Sequence, residues 1–430
     1  MNIKNVPALI IVFLIGINLN AQKSDEKVGE LLNKGDYIEL NKIYSSVKEE
    51  LSPPLKAIVD VVLNSSMNRP EMALENIDYL FQNFQQEIGF ENVQGFFLRR
   101  CALLAQQGNY KQATADLEGF MNDVGQHMDK NMLNEFKSFH RLYNEMKDIA
   151  PTQLIRPDTD CEIPIRIDSL SVGGQMMYVP VTINGQESSF IFDTGCPGGF
   201  LLSERFAANI NYRIIADSIP VHGVGTGYGK NILIDSMQVG NMVYRNVTGL
   251  VVPPNPAVDS VFQVDAVLGS GIMKAAGEFR IYPKERRIVF PIRQTPLPST
   301  GSNIMLISEH PYVEAFSDGE RLIMHFDIGN SSALLHYIYY QKHKEKIEKE
   351  GKKESKLSGG FGGVMTKDIY RLPVFPIKVG NKQAELKNLE VNIDAVYAKQ
   401  GIEEGALGMG FITLFDKVVV NYSKMFVEVE

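Results

Sequence analysis

Two aspartates stand out as residues able to do chemistry. Asp193 and Asp327 each follow a run of strand-forming residues and lie two places before a glycine, in "FIFDTGCPGG" and "MHFDIGNSSA". An Asp-x-Gly after a strand is either a reactive carboxylate on a tight turn or an ordinary turn. One such group cannot run the hydrolytic chemistry it hints at. Two carboxylates held within a few ångströms can, because they do not both ionise easily: one pKa rises and the pair shares a proton. The question is whether the sequence builds two matched sites.

Other reactive residues offer less. The seven histidines show no close pair with ligand spacing and no Cys companion, so neither a metal nor a cofactor is expected. His325, two residues before Asp327, reads as a packed or partly exposed side chain. Cys196 beside Asp193 could be a thiol nucleophile, but no histidine is placed locally to activate it. "GVGTGYG" resembles a phosphate loop only superficially. Lys230 is followed by Asn231, and "NILIDSMQV" alternates like a strand where a nucleotide loop needs a helix. It reads instead as a hairpin end.

The elements that carry the two aspartates form an internal duplication. Asn184-Gly185 precedes Asp193 by nine residues, and Asp318-Gly319 precedes Asp327 by nine. Asn-Gly and Asp-Gly are the strongest hairpin turn signals, so each copy predicts a hairpin whose returning strand delivers the aspartate. Leu201 and Leu335 each lie eight residues further on. Gly-rich stretches follow, "HGVGTGYGK" and "LSGGFGGVMTK". Then come Val-Gly-Asn turns at 239–241 and 379–381, and "AVLG" and "GALG" ending at Gly269 and Gly408. Each copy closes with a strand carrying Tyr.

This order resembles the aspartic proteases, pepsin-like and retroviral-type, over residues 172 to 430. Retroviral-type enzymes pair two identical lobes, and pepsin-like ones fuse two. The resemblance implies an all-β two-lobed fold with the active site formed within one chain. It implies that Asp193 and Asp327 activate a water, with Thr194, Gly195, Ile328, Gly329 and Asn330 as supporting loops. Gly225, Thr226, Gly227, Tyr228, Gly360 and Phe361 would form the flaps over an extended peptide. The second copy departs from the family pattern. Ile328 lacks the hydroxyl that braces the opposite loop, and Cys196 and Asn330 stand where Ser, Thr or Ala is usual. Two functions are therefore expected as alternatives: an aspartic endopeptidase, or an impaired pseudo-protease that binds extended peptides. A third arrangement has the helical region or the linker covering the cleft.

With 430 residues, 44% hydrophobic and 22% charged, the chain predicts a folded multidomain protein. A formal charge of -8 without a dominant basic run excludes nucleic acid as an expected partner. Residues 1–21 read as a secretory signal with cleavage near Ala21, hence an exported protein, periplasmic or secreted. The alternative is a retained anchor. Three scattered cysteines predict a fold resting on core burial. Residues 22–150 show three- and four-residue apolar spacing, broken at Gly35-Asp36, near Asn68 and at Gly108-Asn109. They predict helical hairpins resembling tetratricopeptide repeats, a surface for a protein partner, or a plain bundle. One seam would hold Ala102, Leu104, Tyr110, Ala113 and Leu117. Residues 151–171 read as a linker, 172–300 as lobe 1 and 301–430 as lobe 2. The Lys/Glu-rich run 339–356 reads as one exposed helix or a solvated loop.

Overall fold

The computed structural model describes residues 19–171, 173–222, 226–254, 264–360, 363–394 and 402–430. The chain divides into two compact units between Thr152 and Gln153. Most of the expected leader, along with Gly225 and Phe361, lies outside the described residues. Ala21 falls in the first turn of a helix, Leu19–Lys34. No helix among the described residues is long and apolar enough to cross a membrane.

The first unit is helical, with Leu19–Lys34, Tyr37–Val47, Pro53–Ser66, Pro70–Gln106, Tyr110–Val124 and Lys130–Met146. Each expected break is a real one. Asp36 caps its helix by accepting from the Glu39 N–H at 3.1 Å. Gly108 turns at φ +74 and lies so close to Pro151 that a Cβ would collide. The element Pro70–Gln106 is two helices in line, interrupted at Phe84 and Gly89. In the expected seam Leu104, Ala113 and Leu117 are buried, while Ala102 and Tyr110 are only half-buried. The core is an apolar cluster that includes Leu55, Ile58, Val59, Ile77, Leu80 and Phe96. Each such side chain contributes about 1.5–3 kcal/mol on burial.

The second unit is β-rich and two-lobed. Asn184-Gly185 and Asp318-Gly319 are two-residue turns with positive φ at both positions. They set the registers Ile183↔Gln186 and Ser317↔Glu320. In lobe 1 the strand Gln186–Phe192 pairs in parallel with Ala266–Leu268, which pairs antiparallel with Phe200–Ser203. In lobe 2 Glu320–Phe326 pairs in parallel with Gly405–Leu407, which pairs antiparallel with Leu334–Leu335. The registers correct one detail of the duplication. Leu202 pairs with Ala266 and Val251, as Leu335 pairs with Gly405 and Val391. Leu335 is thus the counterpart of Leu202 rather than Leu201, because the first loop is one residue longer.

Two further expectations are corrected. Residues 151–171 are not a free linker. They hold the strands Gln153–Ile155, Cys161–Pro164 and Arg166–Ser169, each paired within the β unit. Proline and aspartate disguise an alternation in which Cys161, Ile163 and Ile165 are all buried. The Lys/Glu run is two short helices, Tyr337–Lys342 and Lys344–Glu350, followed by the strand Lys352–Gly360. Tyr339, Tyr340 and Ile347 anchor the helices in the core.

A five-stranded sheet draws on both lobes, in the order Cys161–Pro164, Arg287–Phe290, Glu278–Tyr282, Val418–Asn421, Phe426–Val429. Its seam is the pairing of Glu278 with Asn421. The Glu278 carboxylate is fully buried. It accepts from Arg280 Nε, Thr295 N, Thr295 Oγ1 and Asn421 Nδ2 at 2.6–2.8 Å. A buried carboxylate is tolerable only when so satisfied. Glu278→Ala strands these donors in the core. It is expected to destabilise the β unit by about 3 kcal/mol, read as a lower urea midpoint, while Glu278→Gln loses less.

Candidate active site

The two Asp-x-Gly loops meet face to face, and their backbones are held alike. Asp193 N–H donates to Leu268 O at 3.1 Å, and Asp327 N–H donates to Leu407 O at 2.9 Å. Each aspartate thus hangs from the strand of the following apolar-apolar-Gly segment. The glycine ending that segment packs against the loop. A Cβ on Gly269 would strike Gly198 O and Cys196 O, and one on Gly408 would strike Asn330 O and Ser332 O. Ser270 N donates to Cys196 O at 2.8 Å, and Met409 N donates to Asn330 O at 2.9 Å.

The carboxylates cross over. A Cβ on Gly195 would run into the Asp327 carboxylate, and one on Gly329 would run into that of Asp193. Any side chain there would push the pair apart, so glycine is required by close approach. The two carboxyls hydrogen-bond to each other. Burial pushes the Asp193 carboxyl well above the usual carboxylate range. The charge of Asp327 and the shared hydrogen bond push the same way, and the Gly195 and Cys196 N–H groups pull back. Gly195 N donates to Asp193 Oδ1 at 2.7 Å. Two carboxyls held this close do not both ionise easily.

Thr194 braces both loops with one hydroxyl. Its Oγ1 donates to Phe326 O at 2.8 Å and accepts from Ile328 N at 2.9 Å. Ile328 returns no such bond, as the sequence implied, but it is fully buried and its own N–H is satisfied by Thr194. Asn330 braces its own loop, accepting from Ser332 N at 3.2 Å. Burial and both aspartates push the Cys196 thiol far up, so it is a neutral thiol and not a nucleophile. Among the described residues no cluster of His, Cys, Asp and Glu could hold a metal.

The described hairpin residues lie near the ends of the chain's two long ribbons. Gly227 and Tyr228 pair with Val221 and Pro220 near the end of the Arg213–His222/Thr226–Val239 hairpin. Thr226 pairs with His222 there. Tyr228 is 64% exposed, so its ring stands in solvent. Gly360 pairs with Gly363 at the end of the hairpin formed by Lys352–Gly360 and Gly363–Val379. At the base of that ribbon a buried Glu390 is held by Lys356 and Lys367, both at 2.6 Å. Burial alone would raise its pKa, but the two cations outweigh it and hold it low.

Sequence reasoning missed two contributors. The Phe326 carbonyl is invisible to a search by side-chain type. Tyr422 is fully buried, and its phenol is pushed up by burial, then by Asp193 and Glu309. Its only signal was its place in the closing strand of the second copy.

Residues 179–271, which hold Asp193, the first hairpin and Gly269, match the family model for aspartyl protease. That segment is similar to the aspartyl protease family. The duplication carries the same plan into lobe 2, beyond the matched residues. Among solved structures, a retropepsin-like aspartic protease from Rickettsia conorii is similar at 16% identity, covering 33% of this chain and 93% of its own, with a TM-score of 0.22. Conglutin gamma from lupine seeds is similar at 10% identity, covering 63% and 95%, with a TM-score of 0.40. Basic 7S globulin from soybean follows at 11%, covering 64% and 95%, with a TM-score of 0.38. Likenesses this distant decide nothing about the present chain. No curated protein matches it in sequence.

Two outcomes follow for the β unit. Thr194→Val leaves Phe326 O and Ile328 N unpaired in a buried place. It is expected to cost about 2–4 kcal/mol, read by chemical denaturation, while Thr194→Ser retains most of the stability. The raised Asp193 carboxyl means the folded state binds more protons than the unfolded one above the unfolded pKa. Stability therefore falls as pH rises from that value through the folded one. Asp193→Asn removes this penalty. It is expected to be about 1 kcal/mol more stable than the parent near neutral pH and to lose that advantage in acid, measured by denaturation across pH.

Proposed function

We propose that this protein is an aspartic endopeptidase that hydrolyses peptide bonds with a water activated by Asp193 and Asp327. The observation that carries the reading is the contact between the two carboxyls, each seated on the glycine of the opposite loop. In this reading the ionised Asp327 takes a proton from water as the oxygen attacks the scissile carbonyl carbon. The protonated Asp193 donates to the carbonyl oxygen. Collapse of the tetrahedral intermediate passes a proton to the departing nitrogen and restores the pair. The substrate is a peptide in extended conformation, lying along the cleft between the lobes. The leader-like residues 1–21 support export as the setting.

A second reading, a peptide-holding module that does not cut, draws on Ile328, which leaves the brace one-sided. The two readings separate in one assay: peptide-library cleavage from acidic to neutral pH by the full chain. The endopeptidase reading expects cleavage with a bell-shaped pH profile. It also expects at least about a thousandfold loss in both Asp193→Asn and Asp327→Asn. Cleavage that survives either substitution rules the mechanism out. Peptide binding without any cleavage points to the holding module.

A further inference from the structure

The duplication allows the two lobes to be compared layer by layer, and one layer differs in kind. By the offset between the two copies, Met176 corresponds to His310, Tyr178 to Tyr312 and Ile191 to His325. Counted back from Gly269 and Gly408, Val264 corresponds to Glu403. The registers agree: Tyr178 faces Ile191 as Tyr312 faces His325, and Val267 faces Ile191 as Ala406 faces His325. In lobe 1 this layer is apolar. Met176, Ile191 and Val267 are buried together, with Tyr178 and Val264 packed on them. In lobe 2 the same places hold two histidines and a glutamate.

His325 lies beside the second aspartate, and His310 and Tyr312 pack on its ring. His325 Nδ1 is 3.8 Å from Asp327 Oδ2. The His325 ring packs on Tyr312 with centroids 5.2 Å apart and on His310 at 5.5 Å. His325 and Glu403 are both buried. Burial raises the Tyr312 phenol, and the charges of Glu403 and Asp327 raise it further, which places both carboxylates in the same neighbourhood.

We propose that His325 is a positioning residue that decides which aspartate of the pair carries the charge, its imidazolium holding Asp327 as the carboxylate and leaving the shared proton on Asp193. A cation within about 4 Å favours the ionised carboxyl, whereas an apolar neighbour offers no such help. Asp193 has Ile191 in the place where Asp327 has His325. The groups facing His325 fit this role. From its own strand comes Asp327. From the neighbouring strand His310–Ser317 come His310 and Tyr312. From the segment entering Gly405–Leu407 comes Glu403, which acts on Tyr312, the ring packed on His325. Asp193 lies across the lobe boundary. Glu309, next to His310, is turned away to pair with Lys274 of lobe 1. A second charge on His310 would oppose the first, so the imidazolium resides on the ring beside Asp327.

This inference rests on the pair being the hydrolytic centre, so the test reads the carboxyls directly as well as the activity. In the full chain labelled with carbon-13 at the aspartate carboxyls, the pair is titrated by NMR, with Asp193→Asn and Asp327→Asn giving the assignment. His325→Gln, and His325→Ile, which copies lobe 1, are expected to raise the lower apparent pKa of the pair by about one unit. The acid limb of kcat/KM is expected to move up equally, with KM little changed. His325→Gln keeps a polar side chain of similar size should the isoleucine variant fold poorly. An unshifted titration in a folded His325→Gln variant overturns the proposal, even if peptide cleavage persists. If the parent chain cuts nothing, the carbon titration still decides whether His325 sets the charge.

Discussion

One hydroxyl links the two halves of the site, and the geometry of the pair depends on it. Thr194 reaches across the lobe boundary to a carbonyl and an amide of the opposite loop. Both partners are buried backbone groups, so a lost bond there would leave polar atoms without water. The crossing fixes the loops closely enough that each glycine lies against the other loop's carboxylate. Beneath them, Gly269 and Gly408 pack against the loops at contact distance.

The same closeness has an electrostatic cost. Two carboxyls pressed together out of water resist ionising, and the Asp193 carboxyl is raised as a result. The rest of the β unit must supply stability to hold this arrangement. It does so at the shared five-stranded sheet, where Glu278 collects four hydrogen bonds, and in the apolar layer of lobe 1.

Much of this was legible from residue spacing. The two hairpin turns, the aspartates, the Val-Gly-Asn turns and the apolar-apolar-Gly segments are local signals, and each maps onto the same place in both lobes. The three helical breaks were legible for the same reason. What failed was long-range. Two of the three strands in 151–171, Gln153–Ile155 and Cys161–Pro164, pair with partners roughly 90 to 130 residues away, and a composition rich in Pro and Asp hid their alternation. The one-residue slip between Leu201 and Leu202 shows only in the registers. The mutual brace was expected to keep its Thr194 half and lose its Ile328 half, and that is what is seen: Thr194 holds Phe326 O and Ile328 N, backbone partners that do not depend on which side chain Ile328 carries.

Having both aspartates in one chain has a consequence for how this site can change. In an assembly of two identical lobes, every substitution appears twice, once on each side of the reacting bond. A histidine beside one carboxylate would come with a histidine beside the other, and their effects would cancel. Here Thr194 faces Ile328, Cys196 faces Asn330, and an apolar layer faces a titratable one. Fusion through the shared sheet frees each lobe to specialise, so that acid and base need no longer be interchangeable.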